Sequence, residues 1–472
     1  SSLPGGVRRA SGAAGAGGGG PAMGGDKKSL PGMSLAIVGP QGSGKTSAIA
    51  HLCQLLGGFH EDAHKDCEGL AESFGRPHCG HAWMLDTLAP ERERGMTIDS
   101  SLQSFQSDSF SYTAIDTPGH LDFAKNMFSV TSLADVAILV VPATAREFEA
   151  GMESGRTREL ALGCFTMGIK NIVVWVTKLD DPSVEYASAR FEEIKKAVNT
   201  FLKEVGYKQK EVPFVPITGR HGENLTTASP AMSWYSGKPA IKVLDDCGPI
   251  NRPAEKPLRL PVLKVCNIPG TGTVIVGRVE TGTLRPGAKL IFSPSGITAE
   301  ARSIHKDDEP VSEAKGGDIV GVNVEGDGGI LKITRGMVAS MSNDAAADAE
   351  TFLAQVVVLD HPGEIRAGYC PAIAVHTAQV PCEFEQLISK IDRKTKEEGG
   401  ANPEWVKTGE VVTVRMRPRA PVCVEPFSAY PSLGRFAIRD HGRTVAVGIV
   451  KEVTKRPIPK FRNSNANQYF DS

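Results

Sequence analysis

A mostly parallel α/β sheet domain followed by two small antiparallel β-barrels is the fold that this 472-residue sequence predicts. Between residues 33 and 250, nearly continuous apolar runs alternate with segments of helical spacing, which implies parallel strands covered on both faces. After the Pro-rich stretch "GPINRPAEKPLRLP", short Val- and Ile-rich runs such as "GTVIVGRVETGTLRPG" and "EVVTVRMRP" alternate with Gly and Pro turns and leave few helical stretches. These runs fall on either side of residue 348, so barrels are expected over 251–347 and 348–454.

The elements follow in chain order. Residues 1–32 have almost no large apolar side chains to bury and read as a disordered Gly/Ala-rich arm. Arg8 and Arg9, with no acid before Asp26, raise the question of a transit peptide, but two arginines and a glycine run make a poor amphipathic helix; Met23 is a candidate start. "MSLAIVG" reads as a buried strand and "KTSAIAHLCQLLGG" as a helix stopped by Gly57 and Gly58. Further strands are "FSYTAID", "ADVAILVV", "NIVVWVT" and "VPFVPIT", with "RTRELALGCFTMG" and "ARFEEIKKAVNTFLKEVG" as helices between them. The tail, 455–472, is polar and reads as flexible.

Between the first strand and its helix lies "GPQGSGKT": Gly39, Pro40, Gln41, Gly42, Ser43, Gly44, Lys45 and Thr46. This is the spacing of a phosphate-binding loop, in which glycines let backbone N–H groups curl around phosphate oxygens. Lys45 supplies a charge to the terminal phosphates, and the Thr46 hydroxyl can ligate Mg²⁺. "DTPGH" ends a strand about seventy residues on, where such nucleotide-binding domains place a second carboxylate on the metal side. Asp116 can hold Mg²⁺ through water, and Gly119, lacking a side chain, lets its N–H approach a γ-phosphate. Thr97, in "ERERGMTID", can add a hydroxyl to the metal only when a triphosphate is bound, although alone it reads as a surface threonine. His120, next to that γ-phosphate sensor, is the candidate catalytic group, orienting an attacking water.

The base is read further on. In "TKLD" (Thr177, Lys178, Asp180), an ionised aspartate offers two acceptors matching the N1–H and N2–H₂ donors of guanine. Adenine lacks that pair and would leave the carboxylate unpaired. In "PITGR", backbone N–H groups of Thr218, Gly219 and Arg220 can take the guanine O6. Together these motifs describe a switch that binds GTP or GDP with Mg²⁺ and hydrolyses GTP, so the first domain is expected to be an α/β P-loop GTPase domain.

From about Met33 to Thr454 the sequence resembles the translational GTPases, and within them the eukaryotic elongation factor 1-alpha family. The resemblance is carried by "ERERGMTID", "DTPGHLDFAKNM", "EFEAGMESGRTRE", "KPLRLPV", "GTVIVGRVETG", "LDHPGEIRAGY" and "PFSAYPSLGRFAIRD". It implies delivery of aminoacyl-tRNA to the ribosomal A site with GTP hydrolysis on codon recognition, and two barrels behind the GTPase domain. The implied partners are aminoacyl-tRNA, the ribosome and a guanine nucleotide exchange factor. In relatives the "GRVETG" turn lies near the tRNA 3′ end, which makes Glu280 a tRNA-binding candidate; its bland reading is a solvated hairpin charge. His361, His376 and Arg435 lie in matching stretches without assigned chemistry.

Three positions depart from the family pattern. Gln41 and Gly42 stand where relatives carry an apolar residue that helps gate the catalytic histidine and an aspartate that steadies cations. Thr177 stands where relatives carry Asn, keeping a hydroxyl and losing an amide, at a cost of about 1 kcal/mol or about fivefold in affinity. GTPases of the signal-recognition-particle type use a similar TKxD, so guanine reading is expected to persist with an altered hydrolysis rate or trigger.

Composition narrows the remaining classes. With 53 basic against 54 acidic residues, net charge neither announces nor excludes a nucleic-acid partner. Arg415, Arg417 and Arg419 can touch phosphate or simply line a solvated strand face. Nine scattered cysteines suit a reducing, cytoplasmic compartment, and no apolar run approaches a membrane-spanning length. The dense set His60, His64, Cys67, His78, Cys79 and His81 raises a zinc site, but its spacings fit no standard finger and surface helices are expected. Two other readings are a termination or rescue GTPase, and a divergent paralogue binding cytoskeletal or structural partners with reduced hydrolysis.

Overall fold

A computed structural model describes residues 30–60, 62–120, 131–207, 212–248, 255–306, 309–326, 329–391 and 398–456. The expected arm over 1–29, Leu121–Met127 of the "DTPGHLDFAKNM" motif, part of the Pro-rich boundary and the tail from 457 lie outside the described residues.

The first domain is a six-stranded sheet. Its strands are β1 (Gly32–Val38), β2 (Ser101–Gln106), β3 (Ser111–Asp116), β4 (Val136–Pro142), β5 (Asn171–Thr177) and β6 (Phe214–Pro216), in the order β2-β3-β1-β4-β5-β6. All neighbours are parallel except β2, which runs antiparallel to β3 at the edge. Every residue of β4 is buried, because helices cover both faces of the strand. Alternate residues feed two cores. Val38, Leu139, Val141, Val174 and Val176 pack beneath α6 (Arg156–Thr166) and α7 (Ser188–Val205), reached after α5 (Ala145–Glu153). Leu35, Ile37, Ile138, Val140 and Trp175 pack under α1 (Lys45–Leu55), on the other face. Helix α7 shows why these residues are helical: Phe191, Ile194, Val198, Phe201 and Leu202 make one buried stripe, and Gly206 at φ 117° ends it in the left-handed region.

Between α1 and β2 the insertion forms α2 (Ala63–Ser73), the short α3 (Gly80–Trp83) and α4 (Ala89–Arg94). The surface helices expected there are thus present.

Two antiparallel sheets of seven strands follow. In the first, pairing of Lys289–Ser293 with Ile297–Lys306 closes the sheet on itself; in the second, pairing of Ala372–Val375 with Ala378–Ile391 does the same. Both are therefore barrels, filled by their own apolar clusters around Leu260, Phe292 and Val322, and around Phe352, Phe384 and Phe436.

An arginine–carboxylate pair marks each junction between the three domains. Arg278 of the first barrel pairs with Asp135 beside β4. Arg259 lies 3.3 Å from Glu425 of the second barrel, both nearly buried, with the guanidinium over the Tyr430 ring. Arg439 of the second barrel approaches Glu159 of α6 at 3.8 Å. Exposed ion pairs contribute little, whereas buried ones are costly to break, so the Arg278–Asp135 and Arg259–Glu425 pairs are the ones costly to lose.

Candidate functional site

The phosphate loop joins β1 to α1, as its spacing demands. Gly42 and Gly44 hold φ of 77° and 85°, which turn the chain back over the helix N-terminus. The Lys45 ammonium is buried and donates to the Pro40 carbonyl at 2.9 Å. Burial pulls its pKa down to about 8, while Asp116 and Asp86 hold it up.

On the metal side four oxygen-bearing groups meet. Thr46 Oγ1 donates to Asp116 Oδ2 at 2.8 Å and lies 3.0 Å from Thr97 Oγ1, while the Thr97 hydroxyl also lies 2.9 Å from Asp86 Oδ1. Burial, with Asp116 and Glu91 nearby, pushes the Asp86 carboxyl up to about 8; burial pushes Asp116 up to about 6. Asp116 Oδ1 is buried with no hydrogen-bond partner among the described residues. Two crowded carboxylates, two hydroxyls and one unanswered oxygen form the hard, all-oxygen donor set that Mg²⁺ takes. Asp86 escaped the sequence reading; its one signal is an acid directly after the apolar run "AWML", eleven residues before Thr97.

Gly119 sits directly on the phosphate loop. A Cβ there would lie 2.5 Å from Lys45 Nζ and 2.8 Å from the Gln41 nitrogen, so only glycine fits. His120 follows it, half-buried.

The base-reading loops come to the same edge. Thr177 is almost fully buried, and its hydroxyl donates to the Ser43 carbonyl of the phosphate loop at 2.7 Å. The hydroxyl thus ties the two loops together without an amide. Thr177→Val, which keeps the shape and removes that bond, is expected to weaken GTP and GDP alike by about fivefold, read by titration calorimetry. Lys178, at φ 60°, is held by both Glu147 oxygens at 2.6 and 2.8 Å. A Cβ on Gly42 would lie 3.9 Å from Glu147 Oε1, so the aspartate of relatives would meet a carboxylate here. Asp180 is 21% exposed and faces His221 at 3.5 Å, a neighbour that the sequence did not single out. Thr218 is buried and Arg220 exposed, and Gly219 packs against the first turns of α1, where a Cβ would lie 3.2 Å from the Ala48 nitrogen.

Behind that loop stand three histidines. His51 Nδ1 donates to the Gly219 carbonyl at 3.0 Å; its ring stacks on His81 at 4.0 Å, and His81 meets His64 at 3.9 Å. Imidazole lone pairs lie in the ring plane, so stacked faces do not aim nitrogens at a shared ion. Among the described residues no group of three or more His, Cys, Asp or Glu side chains is arranged to hold a metal. Burial, then the His51 and His64 charges, depress the His81 pKa to about 3 from 6.5. The unfolded ring takes a proton below pH 6.5 and the folded one resists, so this stability is complete above 6.5 and lost as pH falls toward 3. His81→Phe keeps an aromatic ring and is expected to flatten the fall in urea midpoint between pH 7.5 and 5.

Other candidates fall outside this edge. Glu280 is nearly buried and lies 3.8 Å from Arg278 at the first junction. Arg417 is paired with Glu385 at 2.7 Å and Arg419 with Glu383, while Arg415 is exposed. His376 is buried with Nε2 3.0 Å from the Cys423 carbonyl, His361 contacts Gly363, and Arg435 stacks on Phe427. All nine cysteines are free, and among the described residues no helix is long and apolar enough to cross a membrane.

Comparison with known proteins places the chain among its relatives. The family described as Elongation factor Tu GTP binding domain matches residues 31–259, Elongation factor Tu domain 2 matches 272–340, and GTP-eEF1A C-terminal domain-like matches 351–451. Elongation factor 1-alpha of Stylonychia lemnae is 46% identical over 426 residues, covering 90% of this chain and 95% of its own. That of Entamoeba histolytica is 46% identical over 427 residues, covering 90% and 96%. The solved GTPase-like domain of S. cerevisiae Ski7, bound to GDP and inorganic phosphate, has a TM-score of 0.75 at 15% identity, covers 89% of this chain and 97% of its own, and shows the fold alone.

Proposed function

The chain belongs to the elongation factor 1-alpha family of translational GTPases, and from that premise we propose that its GTP-bound form carries aminoacyl-tRNA to the ribosomal A site. It is a GTP-dependent translation elongation factor and a GTPase. The relatives that share 44–46% identity are elongation factors 1-alpha, which favours this reading over the termination and structural-protein ones.

The observation that carries the site assignment is the run of contacts Asp116–Thr46–Thr97–Asp86, which links the phosphate loop to both segments that answer to the last phosphate. Backbone N–H groups of Gln41 to Gly44 and the Lys45 ammonium hold the phosphates. Thr46 and Thr97, with Asp116 and Asp86, would hold Mg²⁺, which would supply positive charge to neutralise the terminal phosphates. Asp180 accepts from guanine N1–H and N2–H₂, and the Thr218–Arg220 turn closes over O6. His120 orients a water on the γ-phosphorus; the P–O bond to the β-phosphate breaks, giving GDP and phosphate. Without the γ-phosphate, Gly119 and Thr97 lose their reason to stay, and the carrier releases its tRNA. A guanine nucleotide exchange factor then assists the loss of GDP.

The test is binding of charged and deacylated tRNA to the purified chain loaded with a non-hydrolysable GTP analogue or with GDP. Retention of charged tRNA only with the GTP analogue is expected. Equal retention of both tRNAs, or none, would overturn the proposal.

A further inference from the structure

The helix α4 carries a buried carboxylate with no place in the chemistry above. Glu91 is 3% exposed. Its Oε1 accepts the backbone N–H of Ile98 at 3.0 Å and of Asp99 at 3.1 Å, and its Oε2 accepts that of Leu88 at 3.0 Å. Its own carbonyl accepts Gly95 N–H at 2.7 Å and Met96 N–H at 3.1 Å. Every described backbone bond that fixes the chain immediately around Thr97 therefore ends on one residue. The next side chain serves the other half of the contact: Arg92 donates to the Asp86 carbonyl at 2.8 Å and to the Trp83 carbonyl at 3.0 Å. One helical turn thus sets the backbone on both sides of the Thr97–Asp86 hydrogen bond.

A loop threonine has no intrinsic reason to hold its hydroxyl 3.0 Å from Thr46. Fixing a residue's backbone opposes conformational entropy of about 1–2 kcal/mol, and an ionised carboxylate accepting several N–H groups is a strong way to do it. Glu91 makes no hydrogen bond to the metal-side groups, although its charge is felt by Asp86 and Asp116; its hydrogen bonds go to the backbone at Leu88, Ile98 and Asp99 and so reach the site through Thr97.

We propose that Glu91 is the positioning residue that presents Thr97 to the nucleotide, and hence sets how strongly the protein distinguishes GTP from GDP. This rests on the reading of Thr97 as a ligand used only in the triphosphate state. An amide at position 91 cannot replace the carboxylate, because its NH₂ group would face a backbone N–H with nothing to accept. With the charge gone and one acceptor lost, the Thr97 segment is held more weakly, which costs affinity in the triphosphate state, where Thr97 is needed, and little in the diphosphate state, where it is not.

The experiment measures affinity for a non-hydrolysable GTP analogue and for GDP, with Mg²⁺ present, in the parent, Glu91→Gln, Thr97→Ala and the double variant. Glu91→Gln is expected to lower affinity for the analogue about tenfold and leave GDP within about twofold, the loss of one to two charge-assisted bonds. In the Thr97→Ala background it should have no further effect, since the group through which it acts is gone. Equal losses for both nucleotides would mean that Glu91 only stabilises the fold, and additive losses would mean that it acts by another route; either overturns the proposal. GDP affinity in each sample reports whether the variant has folded, and Glu91→Asp, which keeps the charge but shortens the reach, should fall between parent and Glu91→Gln. No effect of Thr97→Ala on the analogue would instead defeat the ligand reading of Thr97.

Discussion

Gly119→Ala is expected to lower triphosphate affinity by about 10- to 100-fold while GDP affinity stays within about threefold. The added methyl group would stand 2.5 Å from Lys45 Nζ, 2.8 Å from the Gln41 nitrogen and 2.9 Å from the Pro40 carbonyl carbon. Two of those atoms are backbone at the centre of the phosphate loop, anchored by Ser43 N–H to the Pro40 carbonyl at 3.2 Å and by the Lys45 ammonium to the same oxygen. The glycine segment, in contrast, follows β3 as irregular chain. Asp116 and Thr117 are buried and the Thr117 hydroxyl donates to the Ile37 carbonyl at 2.6 Å, so the irregular chain at Gly119 gives way and its N–H loses the γ-phosphate. A loss shared equally between GTP and GDP would show that the phosphate loop yields instead.

The nucleotide edge was legible because its chemistry is local. Gly39 to Thr46 is a contiguous motif between a strand and a helix; Thr177 ends a strand, and Asp180 and Thr218 lie in the loops just beyond strand ends, where ligand loops gather in a parallel sheet. The barrels were legible from spacing of Gly and Pro turns. What escaped the sequence depends on distant residues meeting. Glu91 reads as one more charge in a charged helix until its carboxylate is seen against Ile98 and Asp99. His51 and His81 lie in different helices, and only packing of α3 on α1 stacks their rings. The strand β2, "SLQSFQ", carries too few large apolar residues for its pattern to stand out, because it forms an edge with only Phe105 buried. Thr177 was legible as a departure but not in its effect: the sequence shows a lost amide, and the structure shows the hydroxyl still joined to Ser43.

The junction between the GTPase domain and the first barrel should be the most sensitive point outside the nucleotide edge. Arg278 is 9% exposed and pairs with Asp135, itself 4% exposed, while Glu280, also 9% exposed, lies 3.8 Å away. Burial alone would lower the Arg278 pKa, but Asp135 and Glu280 outweigh it and hold the guanidinium charged. Asp135 is itself fixed by the Ser34 N–H of β1 at 2.9 Å, so it cannot swing into solvent without breaking a backbone bond. Arg278→Met therefore leaves two carboxylates near each other in a poorly solvated junction, a loss of about 3–5 kcal/mol against well under 1 kcal/mol for an exposed pair. The expected result is a lower urea midpoint together with a larger radius of gyration, because separating the barrel from the sheet is the cheapest way to hydrate both acids. Adding Asp135→Asn, which still accepts the Ser34 N–H, removes one stranded charge and should restore part of the loss. If the double variant is no more stable than the single one, the junction is held by contact area and not by charge, and Glu280 is then free to leave Arg278 at little cost.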